Sequence, residues 1–316
     1  MDFSSLLSVI ATLFLLLAAG YICRKCGIIG DTASKNLSSL IIKLGQPMLI
    51  IGSLTAVEFS VENLKTGALI TGLGLLAHTF MALIAFLLCR PIRDIDERKI
   101  TEFSSVFANC GFIGFPIMQA IFGDIGLFWA AFYVVSFHLT LWTWGIAILA
   151  RRRDDIRLTV RKILLNYGTV PCAIGILLYV AKAIPGFAIP SFFQSFANYL
   201  GGLCTPISML ITGALLATRS LRQILGNKNV YYLSAVKLIL MPLAVLGVVY
   251  LVGLPYEMSM LLVVMAAMPS ASTITMLAEL HTISPGYASQ SVGTTSLLST
   301  ATLPLVLYLA KLVLGA

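Results

Sequence analysis

The residues that could bind a ligand stand in the middle of a long apolar stretch. The segment Asn109-Cys110-Gly111-Phe112-Ile113-Gly114-Phe115-Pro116 holds a polar amide, two glycines and a proline, inside an apolar run from Phe103 to Phe122. A run of about 20 apolar residues predicts a membrane-spanning helix, but glycine and proline disfavour helix. Backbone that leaves the helical path inside a membrane is tolerated only where protein or a water-filled cavity satisfies it. The segment therefore predicts a broken helix with a binding site, in which Gly111 and Gly114 make room and Pro116 breaks the helix.

A second segment of the same kind is Met268-Pro269-Ser270-Ala271-Ser272-Thr273, in which Pro269 is the predicted helix breaker. The N-terminal end of a half-helix carries partial positive charge, which suits an anion such as a carboxylate. Asn109 could donate its amide N–H to that anion, and three residues could add hydroxyl donors: Ser270, Ser272 and Thr273. The alternative is that these polar groups only satisfy the unwound backbone, which needs hydrogen bonds with or without a ligand.

Two lysines and two histidines fall inside apolar runs, where charge is costly. Lys43 is interpreted as reaching back to the membrane interface. Lys237 could do the same, or could compensate the charge of a bound anion, because Pro242 frees a backbone carbonyl for it to approach. His78 and His138 are the titratable candidates for proton coupling, or else neutral interior histidines.

The acidic residues are informative by their positions, because none lies at the middle of an apolar run. A sodium site would then rely on carbonyls and hydroxyls alone, so sodium coupling is disfavoured. Cys23-x-x-Cys26 lacks a second ligand pair nearby. No metal site and no cofactor are predicted.

Composition places the chain in a membrane. Of its 316 residues, 59% are hydrophobic and only 11% are charged, with a mean hydropathy of +0.96, which excludes a soluble globule with an ordinary polar surface. The formal charge of +8 sits in short gaps between apolar runs, which indicates a role in membrane topology and not nucleic-acid binding. The six cysteines lie mainly in or beside apolar runs and are expected to be free thiols.

Ten apolar stretches are long enough to cross a bilayer, and the sequence predicts an all-α membrane protein of ten transmembrane helices. These spans 1 to 10 cover residues 5–23, 37–56, 66–88, 103–122, 127–149, 165–183, 194–217, 231–252, 258–279 and 288–314. Loops after spans 1, 3, 5 and 7 hold 16 of the 21 basic residues. By the positive-inside rule those loops are cytoplasmic and both termini lie outside.

The stretch 150–164 is the predicted cytoplasmic linker, and it divides the spans into five and five. Halves with an odd number of spans must be inverted relative to each other. Pro47 and Pro206 lie 159 residues apart, and the same offset carries Asn109 onto Met268. The pattern predicts two inverted five-helix repeats, residues 1–149 and 165–316, with spans 4 and 9 broken at equivalent places.

Several motifs, in order, resemble bacterial members of the auxin efflux carrier family, whose plant relatives are auxin carriers. Asn109-x-Gly111-x-x-Gly114-x-Pro116 followed by Phe122-Gly123 resembles the family's span 4 signature. Further matches are Lys237-Leu-Ile-Leu-Met-Pro242-Leu in span 8, Met268-Pro269 in span 9, and Ser296 through Pro304 in span 10. The resemblance covers essentially the whole chain. It departs at span 6, where Asn166-Tyr167 stands in place of the family's frequent Asn-Pro, so the entry angle of that helix is open.

The resemblance implies a fold like that of the bile-acid sodium symporters, with helices 4 and 9 crossing at mid-membrane. It implies a scaffold of helices 1, 2, 6 and 7, a transport domain of helices 3–5 and 8–10 that moves as an elevator, and a homodimer formed through scaffold helices 2 and 7. It also implies small carboxylate substrates such as malonate or malate, while the family's name is no evidence for auxin itself.

The sequence is therefore interpreted as a secondary transporter of a small organic anion in the cell membrane, working by alternating access. A sensor or a channel-like protein is the alternative, since a broken-helix site could bind without transporting. An enzyme is disfavoured because the chain has no Gly-x-Ser-x-Gly elbow, no His-Glu-x-x-His pair and no Walker sequence.

Overall fold

The computed structural model describes residues 3–153, 165–218 and 226–315, with side chains from residue 7 onward, and the regular structure in these ranges is helical. In chain order the helices are α1 (Phe3–Lys25), α2 (Asp31–Ala56), α3 (Val61–Leu88), α4 (Ile95–Val106), α5 (Cys110–Phe122), α6 (Asp124–Ala150), α7 (Thr169–Ala181), α8 (Ser191–Ala217), α9 (Lys228–Val252), α10 (Tyr256–Ala267), α11 (Thr273–Leu280) and α12 (Pro285–Leu314).

Seven of the described helices are long and apolar enough to cross a membrane: α1, α2, α3, α6, α8, α9 and α12. Three more, α5, α7 and α10, are apolar but shorter. The chain is thus an all-helical, multi-pass membrane protein. The count of ten spans and their inverted repetition stay predictions.

Span 4 begins earlier than predicted, at Ile95 and not at residue 103. The Asp94 carboxylate accepts hydrogen bonds from the backbone N–H groups of Asp96 and Glu97, both at 2.9 Å. A side-chain cap of this kind satisfies backbone groups that the helix itself cannot. Because the first turns are charged, a search for apolar residues missed them.

The break in span 4 also lies earlier than predicted. Helix α4 ends at Val106 and α5 begins at Cys110, so Gly111, Gly114 and Pro116 are helical and the unwound residues are 107–109. Pro116 is tolerated because it stands in the first turn of the α-helical part of α5, just after a π-helical turn. A proline deprives the carbonyl four residues earlier of its donor, and here the Thr205 hydroxyl donates to that carbonyl, on Phe112, at 3.4 Å.

The same local device recurs in two other helices. Pro47, Pro116 and Pro242 each stand two residues after a π-helical turn, formed by Ile41–Gly45, Cys110–Gly114 and Val236–Leu240 respectively. A π-turn widens the helix by one residue and is frequent at functional sites. These helices therefore continue through their prolines without a break.

The chain forms two compact units. Unit 1 contains the described parts of Met1–Gly74, Gly111–Leu139 and Thr159–Ala214, and unit 2 those of Leu75–Cys110, Thr140–Leu158 and Leu215–Ala316. The predicted repeat halves, the scaffold and transport domains and the dimer remain predictions. Residues 154–164 of the predicted linker lie outside the described residues.

Unit 1 is packed through glycines that let helix backbones meet. Gly20 of α1 lies against the backbone of Leu210 in α8, and Gly213 of α8 lies against the Leu17 carbonyl of α1. In membranes, where the hydrophobic effect does not drive helices together, such close approach supplies the packing. In the same unit, Asn166 Oδ1 accepts from the N–H groups of Gly168 and Thr169 at 2.9 Å. An asparagine turn thus leads into α7, whose N-cap residue is Gly168, where the family resemblance left the geometry open.

Unit 2 has its core around α4 and α10. All residues of α4 from Lys99 onward are buried, as are all residues of α10 from Ser259 onward. The Thr101 and Tyr287 hydroxyls are hydrogen-bonded at 2.8 Å and join α4 to α12. This packing fixes the two half-helices that lead into the broken segments.

Candidate functional site

The two broken segments are bonded directly to each other within unit 2. The Asn109 N–H donates to the Pro269 carbonyl at 2.7 Å, and the Ala271 N–H donates to the Phe107 carbonyl at 2.9 Å. Ala108 and Ser270 are thereby paired as an antiparallel bridge. We call residues 107–109 and 268–272 the crossing. Each unwound segment satisfies part of the other's backbone, which is the condition for irregular backbone inside a membrane.

Two further hydrogen bonds hold Ser270 in the crossing. Its N–H donates to Thr295 Oγ1 at 3.2 Å, and its hydroxyl donates to the Ser104 carbonyl at 3.0 Å. Ser272 and Thr273 are only half-buried at the start of α11. Of the three predicted hydroxyl donors, these two are the more accessible to a ligand.

Asn109 is 5% exposed and immediately follows the antiparallel bridge. Gly111 is half-buried, and a Cβ at this position would lie 3.3 Å from Nε2 of Gln46 in α2, which belongs to the same unit as Gly111. Gln46 was missed from the sequence, although a polar amide inside a predicted span was the signal that could have found it. Gly114 is buried in α5.

Lys237 is fully buried in unit 2, with 0% of its surface exposed. Its ammonium group donates to the Ala266 carbonyl at 3.3 Å, in the last turn of α10 and two residues before the crossing. The idea that it approaches a carbonyl freed by Pro242 was wrong: it contacts a neighbouring helix, because its own helix closes a π-turn there. Lys43 is exposed, as its interpretation as an interfacial lysine requires.

The electrostatics around Lys237 favour an anion. Among the described residues no carboxylate forms an ion pair with Lys237. An ammonium group has three donors, and the Ala266 carbonyl uses one. The partial negative charge at the end of α10 favours the ammonium form, and two of its three donors remain for a ligand.

Three buried serine hydroxyls in unit 2 lack a hydrogen-bond partner among the described residues: Ser104, Ser105 and Ser296. Ser104 and Ser105 lie in the last turn of α4. Ser296 follows Thr295, whose hydroxyl accepts from the Ser270 N–H. Buried hydroxyls of this kind need an explanation such as ordered water or a ligand. Sequence reasoning missed Ser104 and Ser105, because short serine pairs are common in membrane helices.

The two histidines occupy different units. His78 is buried in unit 2, and its ring stacks on Phe107 at a centroid distance of 5.9 Å. His138 is buried in unit 1 against Gly168, where a Cβ would overlap its ring. Neither nitrogen of His138 has a hydrogen-bond partner among the described residues. Across those residues no three His, Cys, Asp or Glu side chains form a group that could hold a metal ion.

A multi-pass helical protein with two interrupted helices bonded across unwound backbone has the features of the membrane transport proteins. The chain belongs to the membrane transport protein family, which matches residues 5–307. That match confirms the resemblance to the auxin efflux carriers. Of the three relatives described next, one has a description that names a substrate, malonate.

Three relatives cover most of the chain. An uncharacterised transporter of Methanothermobacter thermautotrophicus is 25% identical over 94% of this chain and 95% of its own length. An uncharacterised transporter of Methanocaldococcus jannaschii is 24% identical over 93% of this chain and 95% of its own. A protein of Rhizobium meliloti described as "Putative malonate transporter" is 23% identical over 87% of this chain and 86% of its own.

Proposed function

We propose that this protein is a secondary transporter of a small organic anion, a mono- or dicarboxylate of the size of malonate or malate. The observation that carries the proposal is the buried Lys237 ammonium, which contacts the last turn of α10 just before the crossing. No carboxylate of the described chain neutralises it. A buried, unpaired charge is expensive, and a carboxylate substrate completes it. The relative described as a malonate transporter supports the same substrate class.

In this proposal the carboxylate is bound by Lys237, by the amide of Asn109 and by Ser272 and Thr273 at the N-terminal end of α11, whose partial positive charge favours an anion. Ser270 supports the crossing, because its hydroxyl proton is donated to the Ser104 carbonyl. Pro269 keeps the second segment unwound. Gly111, Gly114 and Pro116 shape the start of α5.

The proposed mechanism is alternating access: one bundle of helices carries the closed site past a fixed bundle, in the elevator form that the family resemblance implies. The proposed protein is a homodimer through predicted spans 2 and 7, which correspond to α2 and α8, of a ten-helix inverted repeat. It lies in the cell membrane with both termini outside. Proton coupling through His138 or His78 is a second element of the proposal, because these are the titratable side chains inside the predicted spans that can exchange a proton near neutral pH.

Counterflow in proteoliposomes tests the function. Vesicles loaded with unlabelled malonate or malate are diluted into trace labelled substrate, and a carrier accumulates label transiently at the expense of the internal pool. A thermal-shift screen of mono- and dicarboxylates on purified protein selects the substrate, because a ligand that binds the native state raises its apparent stability. Saturable binding without counterflow favours a sensor, and leakage of label without exchange favours a channel.

A further inference from the structure

Two arginines from different parts of unit 2 converge on one aromatic ring at the end of α3. The guanidinium carbon of Arg90 lies 5.0 Å from the centroid of Phe86, and that of Arg151 lies 5.6 Å from the same centroid. A guanidinium within about 6 Å of an aromatic centroid is held by a cation–π attraction. Phe86 is 41% exposed, so both cations are fixed beside a ring that forms part of the outer surface.

Positive charge exceeds negative charge in this cluster. Arg151 donates to both oxygens of Glu102 at 3.0 and 2.7 Å, and Arg98 Nε donates to Glu102 at 3.0 Å. Arg90 has no hydrogen bond or ion pair in the described part of the chain. The cluster thus has one carboxylate, paired with Arg98 and Arg151, and three guanidinium groups, and Arg90 keeps all five of its N–H donors.

The other acidic side chains at this end of α4 are already engaged. Asp94 caps the helix, and Asp96 lies 3.4 Å from the Lys99 ammonium. Glu97 accepts from the side-chain amides of Asn227 and Asn229 at 2.9 and 2.6 Å. The charge of Arg90 is therefore left to water or to an anion from outside the chain.

The surface around Arg90 specifies what kind of anion fits. Leu83 and Leu87 are exposed on the last turns of α3, beside Phe86, with 61% and 56% of their surface uncovered. The Tyr232 hydroxyl donates to the Leu88 carbonyl at 2.7 Å and adds an aromatic residue to the same helix end, as is usual at a membrane interface. An anion that carries apolar chains matches both the positive charge of Arg90 and the exposed apolar side chains next to it.

We propose that Leu83, Phe86, Leu87, Arg90 and Arg151 form a binding site for an anionic phospholipid, which we call the Phe86 site. The two guanidinium groups bind the lipid phosphate, for which arginine has a matching donor geometry. The leucines and the ring contact the upper part of an acyl chain. Basic pockets between membrane helices bind acidic headgroups in this way. Because Arg151 also holds Glu102 of α4, bound lipid would contact the residue that anchors the half-helix leading to the crossing.

Lipid binding to the purified full-length protein tests the Phe86 site. The probes are phosphatidylglycerol, phosphatidylcholine of the same chain length and inorganic phosphate, added to protein in a neutral detergent. Native mass spectrometry counts bound lipid, and thermal unfolding reports stabilisation. We expect phosphatidylglycerol to bind and stabilise, and the other two probes to do neither. Equal effects of the two lipids would overturn the proposal, and so would phosphate alone reproducing the shift, because the site would then recognise a free anion.

The matched variants are Arg90→Ala and Arg93→Ala, which remove exposed arginines three residues apart. We expect about tenfold weaker phosphatidylglycerol binding for Arg90→Ala, as fits the loss of one charge-assisted contact, and unchanged binding for Arg93→Ala. Phe86→Leu keeps an apolar surface but removes the ring that holds both guanidinium groups, and should also weaken binding. Wild-type affinity in both Arg90→Ala and Phe86→Leu would exclude the site.

Discussion

The Lys237 ammonium donates to the Ala266 carbonyl at 3.3 Å, so the fully buried cation of α9 lies at the last turn of the half-helix that leads into the crossing. This buried lysine is stabilised by one carbonyl and by the dipole of α10, and no carboxylate of the described chain neutralises its charge. In the proposed mechanism the negative charge of the substrate neutralises this lysine during transport. The lysine then belongs to the bundle of helices that moves.

Lys237→Gln should weaken substrate binding because it keeps a hydrogen-bond donor but removes the charge. A hydrogen bond to a charged group is worth about 1.5–3 kcal/mol, so we expect KM to rise by about tenfold or more. The measurement is uptake or counterflow of the labelled carboxylate. Lys43→Gln is the control, because Lys43 is exposed and should transport normally. Equal and mild effects of both changes would remove Lys237 from the site.

Asn109→Ala removes the side-chain amide but leaves the backbone N–H that donates to Pro269. The crossing should therefore survive, while the dissociation constant of the substrate rises by about fivefold to tenfold, the value of one hydrogen bond. Thermal-shift titration of purified protein measures both affinity and integrity. Asn109→Pro is the structural control, because it also removes the N–H and should unfold the crossing. Unchanged affinity in Asn109→Ala would show that the amide only caps backbone.

These two residues show how far sequence could lead. Asn109 was found because a polar amide followed by glycines and proline interrupts an apolar run, and the break does occur beside it. Its extent was misjudged, because π-turn geometry, which residue types do not encode, lets Gly111, Gly114 and Pro116 stay helical. The bonds of Ser270 to Ser104 and Thr295 were out of reach, since they join residues distant in sequence whose meeting depends on packing. The Phe86 site depends on tertiary contacts for the same reason.

His138→Gln should abolish the response of uptake to an imposed pH gradient if the proposed proton coupling holds. The ring of His138 is buried against Gly168, and neither nitrogen has a partner in the described structure. Burial without an acceptor disfavours the imidazolium, so a coupled proton would be taken up when transport exposes the ring to water. Uptake is measured in proteoliposomes with and without an inward proton gradient. His78→Gln is the comparison, because that ring stacks on Phe107. Its loss should lower transport without changing the ratio of uptake with the gradient to uptake without it. A full gradient response in His138→Gln would remove this histidine from coupling.

Glu102→Ala should destabilise the protein more than any exposed acidic substitution. Glu102 is 1% exposed and holds Arg98 and Arg151, and removing one member of a buried ion pair costs about 3–5 kcal/mol. We expect the low end, about 3 kcal/mol, because both arginines are partly exposed and regain water. Asp31→Ala is the control: its pair with Arg24 leaves the Asp31 side chain 78% exposed, and a surface pair of this kind is worth less than about 1 kcal/mol. Unfolding midpoints in detergent rank the variants, and equal midpoints would contradict the prediction.

Cys26 should be the cysteine that a membrane-impermeant maleimide labels, and only from the cytoplasmic side. Its side chain is exposed in the loop after α1, whereas Cys23 is half-buried in α1 and the other four cysteines are buried: Cys89, Cys110, Cys172 and Cys204. Burial, together with the charge of Glu102, also raises the pKa of Cys89 to about 12, so little reactive thiolate exists there at neutral pH. Labelling is compared in intact cells and inverted vesicles, and Cys26→Ser should remove the signal. Because the basic loop after α1 sets the proposed orientation, labelling in intact cells would place that loop outside and reverse the topology.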